Sequence, residues 1–255
     1  MSTPPPCRLC GRQEPLRVSH FMPAALYPKN KQKVFATKSG YFHEPVHIAQ
    51  PMLCGECDAR FNQNGEDEVL RWLGPKTKTG QSPLDRALEA TPARSLGDGF
   101  QIYAAADLKL KPESFAYFAL SLIWRSEQAW PLPDDSSTAP IGLGEFEPPI
   151  RAYLLGEAPF PEHAGVAVTC CTDPKSRQIW APPEMSVEVP GLIVMPIMGL
   201  LLRVWLGRVI PAPIHRTLFF PSTSYPIFKT ECWDVLGPTF SHLFDLSGPP
   251  QGSSE

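Results

Sequence analysis

The chain has 255 residues, 43% of them hydrophobic, and a formal net charge of -3. That is enough for one large or two small domains with a real core, and it excludes a chain that binds polyanions by overall charge alone. The 31 prolines, well above the usual share of about 5%, argue for many loops and short elements instead of long helices.

Residues 1–6 read as a proline-rich, disordered tail. Cys7-Arg8-Leu9-Cys10-Gly11 comes next, and Cys54-Gly55-Glu56-Cys57 answers it after 43 intervening residues. Two Cys-x-x-Cys pairs can supply four thiolates to one tetrahedral Zn²⁺, and Gly11 permits the tight turn of a knuckle. The interval exceeds what a minimal zinc ribbon needs, so further structure is expected inside it. Leu16 to Phe21 reads as a short strand carrying Ser19 and His20, ended by Pro23. Lys29 to Lys33 is a basic loop. Val34 to Ala36 and Tyr41 to His43 are expected to pair around Ser39-Gly40, and Val46 to Leu53 leads into the second pair.

After Cys57 the spacing becomes helical, with Phe61, Val69, Leu70, Trp72 and Leu73 apolar and Gly74-Pro75 as the stop. Asn64-Gly65 is a candidate break. Asp58 and Asn62, four residues apart, share one helix face. Lys76 to Gln81 is a polar linker, and Ser82-Pro83-Leu84-Asp85 starts a short helix ending near Ala90. Phe100 to Ala104 is a candidate strand. Glu113 to Trp130 carries the clearest helical pattern in the chain, and its aromatic residues read as core. Pro131 to Pro149 is expected to be a long loop. Val166 to Thr172, Val187 to Val189, Leu192 to Met198, Leu200 to Leu206 and Leu218 to Phe220 are short strand candidates. The expected fold class is α+β. A zinc-binding domain over 7–75 precedes an α+β domain over 82–246, an antiparallel sheet packed on the Glu113 to Trp130 helix, and 247–255 form a second disordered tail.

The charge divides with this organisation. Residues 1–64 hold eight Lys or Arg against four acids, a net of +4, and the remaining 15 basic and 22 acidic residues net -7. The cysteine-bearing segment is therefore the part suited to a phosphate backbone, with Lys29, Lys31, Lys33 and Arg60 as candidate contacts; a solvated basic face is the plain alternative. Cys170, Cys171 and Cys232 remain after the four ligands. Reduced thiols suit a cytosolic setting, and burial in a strand is expected for the adjacent Cys170-Cys171. The start shows no signal-peptide pattern, and Leu192 to Leu202 is too short to span a bilayer. A cytoplasmic protein is expected.

The order Cys-x-x-Cys, Ser19-His20 with Pro23, then Cys-x-x-Cys-Asp opening a helix resembles the zinc-stapled HNH endonucleases over residues 7–73. The resemblance implies a ββα unit cupping a catalytic metal beside a structural zinc held by Cys7, Cys10, Cys54 and Cys57. It implies His20 as general base, and Asp58 with Asn62 as holders of Mg²⁺ or another divalent ion. Nucleic acid, DNA ahead of RNA, would be the substrate. Two positions depart from the family pattern: Ser19 replaces the acidic residue before the base, and Ala49 or Gln50 stands where a middle Asn orients the imidazole. Glu66 or Asp67 are candidate substitutes for the lost ligand, and His43 and His47 further candidates for the cup. A zinc-binding nucleic-acid module without cleavage and a protein-interaction scaffold are the alternatives.

Overall fold

The computed structural model describes residues 5–26, 35–37, 40–42, 48–74, 82–92, 94–97, 100–104, 106–132, 137–171, 179–180, 184–185, 191–207 and 226–230. The expectations for Lys29, Lys31, Lys33, His43, His47, the Lys76 to Gln81 linker, Val187 to Val189, Leu218 to Phe220, Cys232 and the last tail lie outside these residues.

The chain is a mixture of helices and mainly antiparallel sheet. β1 (Leu16–His20) pairs with β4 (Ala49–Cys54) in a two-stranded sheet, Leu16 opposite Cys54 and His20 opposite Ala49. Cys54 is then the N-cap of α1 (Gly55–Phe61). The helical path continues through a π-turn, Asn62–Glu66, into α2 (Asp67–Leu73). The break expected at Asn64-Gly65 is thus a change of pitch, not an interruption. It coincides with a close helix contact. A Cβ on Gly65 would lie 3.0 Å from the backbone nitrogen of Phe118 and 3.1 Å from its Cα and Cβ, so only glycine lets the two helices approach this closely. Gly65→Ala is expected to lose about 1–3 kcal/mol to overpacking, reduced by the roughly 1 kcal/mol helix preference of Ala over Gly. A urea midpoint equal to or above that of the wild type would show that the contact yields.

Phe118 belongs to α4 (Pro112–Ser126), which follows the short α3 (Pro83–Ala87) and is buried on every side from Phe115 onward. Such a helix lies between layers, not on a surface. It meets the π-turn, α2 and α5 (Glu147–Leu155), and also β7 (Ala164–Cys171) and β11 (Leu200–Leu206). The core therefore runs across the expected boundary at 76–81, joining Cys7, Leu9 and Phe61 to Phe118, Leu122 and Val204 in one cluster. The helix stops at Ser126, short of the expected Trp130. Within the expected loop 131–149, a 3₁₀ turn (Gly144–Phe146) leads into α5. Pro148 and Pro149 sit in the first turn of α5, where their missing N–H groups have no helical partner to lose, and Gly156 closes it at φ +74°.

The large sheet has the order β3-β2-β8-β10-β11-β7-β12-β6-β5, with β9 on β10. Its members are β2 (Phe35–Thr37), β3 (Gly40–Phe42), β5 (Arg94–Gly97), β6 (Phe100–Ala104), β7, β8 (Ile179–Trp180), β9 (Glu184–Met185), β10 (Leu192–Ile197), β11 and β12 (Pro226–Thr230). Two neighbouring pairs, β2 with β8 and β12 with β7, are parallel. β10 and β11 form a hairpin in which Ile197 faces Leu200. Both connecting residues, Met198 (φ +52°) and Gly199 (φ +93°), are left-handed, as a two-residue turn between twisted strands requires. The β2–β3 hairpin forms as expected but joins the edge of this sheet. The interval between the cysteine pairs thus contributes strands to both sheets.

α4 is also tied to α2 by a buried acid. Trp72 Nε1 and Arg71 Nη2 donate to Glu68 Oε1 at 2.9 and 2.6 Å, and the Lys111 N–H at the start of α4 donates to it at 3.3 Å. Burial would raise the Glu68 pKa, but these donors outweigh it and hold the carboxyl below its usual range. A depressed folded-state pKa contributes stability that is present above the unfolded value of about 4.3 and disappears as pH falls through the folded value. Glu68→Gln should therefore be less stable than wild type at pH 7, the gap closing below about pH 4. A gap independent of pH would mean that the charge of Glu68 contributes nothing.

Candidate metal centre and the adjoining polar cluster

The sulfurs of Cys7, Cys10, Cys54 and Cys57 all lie within 4.8 Å of one another. Four thiolates at about 2.3 Å from a tetrahedral zinc stand about 3.8 Å apart, and Cys10 and Cys54 Sγ are 3.7 Å apart. The set could hold a metal ion such as zinc. Local sequence builds each half. Gly11, at φ +76°, turns the first knuckle so that its N–H reaches Cys7 O at 2.8 Å. The second half exploits a helix start, with Cys54 as N-cap and Cys57 in the first turn. Cys54 N–H donates to Cys7 Sγ at 3.3 Å, linking the halves. Burial pushes the Cys54 and Cys57 thiols up. Burial also acts on Cys10, but the Arg12 Nε–H at 3.4 Å and other nearby donors outweigh it and bring that thiol down to about 6.

Outside the sulfurs the centre is held by arginines. Arg151 of α5 donates to Leu9 O within the first knuckle. Arg60 of α1 donates to Leu155 O at 2.6 Å, at the end of α5, and pairs with Glu56 at 3.1 Å. Arg60, a candidate phosphate contact, ties α1 to α5: the last carbonyls of a helix attract such a donor.

A second polar group gathers one helical turn away. Burial and the Glu66 carboxylate push the pKa of Asp58 up, while Arg125, Arg17 and His20 pull it down. The charge of His20 in β1 thus acts on Asp58 in α1. Asn62, half-buried, opens the π-turn one turn beyond. In a regular helix the residue two turns after Asp58 would be about seven positions on. The π-turn accommodates one more residue, bringing Glu66 round toward Asp58. Glu66, a candidate substitute ligand, is instead ion-paired with Arg125, both side chains buried; Asp67, the other candidate, is exposed. Arg125 also donates to Phe21 O at 3.2 Å and lies 4.9 Å from the centroid of the Phe61 ring.

The two departures are visible in the side chains. Ser19 is buried and its Oγ has no hydrogen-bond partner among the described residues. Gln50 turns away, donating to Ala129 O at 2.8 Å and accepting from Arg8 at 3.3 Å. Among the described residues, the four cysteines are the only group of three or more His, Cys, Asp or Glu ligand atoms close enough to share a metal. The last cysteines also differ from expectation. Cys170 and Cys171 are buried in β7, but Cys171 is disulfide-bonded where a reduced thiol was expected. No helix among the described residues is long and apolar enough to cross a membrane.

Sequence reasoning missed Arg125 and Arg17. Arg125 had a signal: with Phe118 and Leu122 it continues the i, i+4, i+7 stripe of the buried helix face, where a lone arginine needs a buried partner. No family model, curated protein or solved structure matches the chain.

Proposed function

We propose that residues 7–73 form a zinc-stapled unit of the HNH type that hydrolyses phosphodiester bonds of nucleic acid, DNA ahead of RNA. The observation that carries this reading is a four-cysteine cluster whose second half opens the helix bearing Asp58, with His20 near enough for its charge to act on that carboxylate. The succession of β1, β4 and α1 supports this reading, since a ββα unit would need that order, and zinc is the metal that four thiolates at this spacing favour.

In this reading His20 takes the proton from the attacking water, a role a neutral imidazole fills near pH 7. Asp58 and Asn62 offer a carboxylate and an amide oxygen, the hard donors that suit Mg²⁺, which keeps several waters and needs only one or two carboxylates. When bound, such an ion supplies positive charge to the phosphorane and the leaving oxygen. Arg17, exposed and near enough to Asp58 to offset part of the rise in its pKa, joins Arg60 as a candidate to meet a flanking phosphate.

Full-length protein should nick plasmid DNA with Mg²⁺, Mn²⁺ or Ni²⁺. His20→Ala should lose cleavage while keeping its zinc and its melting temperature, because His20 is not among the metal's ligands. Loss of zinc from that variant would make His20 structural.

One observation favours a second reading. Ser19 supplies no carboxylate and Glu66 is held by Arg125, leaving Asp58 as the single candidate acid among the described residues. A module that binds nucleic acid without cutting it would show no cleavage with any of these ions, yet binding that weakens steeply with salt. Absence of both activities would remove nucleic acid from the account and favour a protein-interaction scaffold.

A further inference from the structure

β1 ends at His20, opposite Ala49. The next residue, Phe21, is held firmly. Its N–H donates to Ile48 O at 2.9 Å, and its ring packs edge-on against Trp130 at 5.6 Å. Its carbonyl accepts from Arg125 Nη1 at 3.2 Å. Arg125 comes from α4, more than a hundred residues along the chain. Its second arm pairs with Glu66 in the π-turn, and its guanidinium covers Phe61, three residues beyond Asp58. The carbonyl of Arg125 accepts from Trp130 Nε1 at 2.7 Å, so the indole packed against Phe21 also anchors the backbone of the arginine. One planar, two-armed cation thus joins the end of the strand carrying His20 to the helix carrying Asp58. A lysine has a single ammonium and cannot reproduce the fork.

We infer that Arg125, paired with Glu66, is the positioning residue of this site: it fixes the distance and orientation of His20 relative to Asp58 without touching substrate. The inference rests on the reading of His20 as general base, but its geometric content can be measured apart from cleavage. A general base contributes only when held within hydrogen-bond reach of its proton, and a displacement of about 1 Å can cost about 100-fold in rate.

The test uses the full-length, zinc-loaded protein, Arg125→Lys, and the double variant Arg125→Met/Glu66→Gln, which leaves no buried lone charge if the lysine variant fails to fold. Two quantities are read: kcat and KM for Mn²⁺-dependent DNA cleavage, and the imidazole resonances of His20, with the exposed His163 as internal control. In either folded variant kcat should fall about 100-fold with KM little changed, and the His20 resonances should shift or broaden while those of His163 stay in place. Unchanged His20 resonances, or an unchanged kcat, would overturn the positioning role and leave the nuclease reading intact. If wild-type protein cleaves nothing but the His20 resonances move in the variants, the nuclease reading falls and the positioning role stands.

Discussion

Removing the metal that the four cysteines could hold should collapse the N-terminal quarter of the fold and loosen α4 and α5 with it. Residues 5–26 and 48–74 bring only two strands, the helical path and the knuckles to the core, and the knuckles close through the four sulfurs. Structural zinc sites in small domains are worth about 10–16 kcal/mol at pH 7, as much as the whole net stability of an ordinary domain, about 5–15 kcal/mol. The loss would not stay local. Arg151 reaches Leu9 O in the first knuckle, and Arg60 ties α1 to the end of α5. Chelator treatment or Cys57→Ser should therefore lower the melting temperature sharply and abolish the near-ultraviolet dichroism of Trp124 and Trp130, both fully buried in the shared core. Metal release should raise the number of titratable thiols by four. Acid should release the metal too, because each thiolate must take up a proton as it leaves the ion, so affinity falls with falling pH. A stripped protein that melts where the loaded one does would remove the metal from any structural role.

Much of this centre was legible in the sequence because its determinants are local. The Cys-x-x-Cys pairs, the left-handed glycine after the first, and the helix that starts at the second are each fixed within a few residues. The same holds for Ser82, whose hydroxyl and Asp85 complete a capping box. What escaped was set by distant partners. α5 was hidden by two prolines that look like loop residues until they are placed in a first turn. β8, β9 and β5 are too short to carry a periodic pattern and exist because neighbours supply their ladders. The π-turn lies where Phe118 approaches Gly65, a contact that no window around Gly65 contains. The boundary expected at 76–81 tracks a real change in charge and polarity, but charge patterning describes surfaces, and the core beneath it is shared.

Glu66→Ala should cost about 3–5 kcal/mol, because it leaves the Arg125 cation buried without its counter-charge. The partners retain only 9% and 4% of their side-chain exposure, so water cannot take the place of the lost carboxylate. Phe21 O and the face of Phe61 would remain as partners, and neither carries a formal negative charge. An exposed pair would contribute about 0–1 kcal/mol and fade with salt; this one should keep its value in high salt. Replacing both partners with apolar residues of similar volume, Glu66→Leu with Arg125→Met, should be far milder than either change alone, since the desolvation penalty disappears together with the attraction. Urea titrations of the two single variants and the double variant, at low and high sodium chloride, give the coupling directly. A loss below about 1 kcal/mol for Glu66→Ala, or one that vanishes in salt, would mean that the pair is solvated. The guanidinium could then swing away from Phe21, and the end of the strand carrying His20 would lose its anchor to the helix of Asp58.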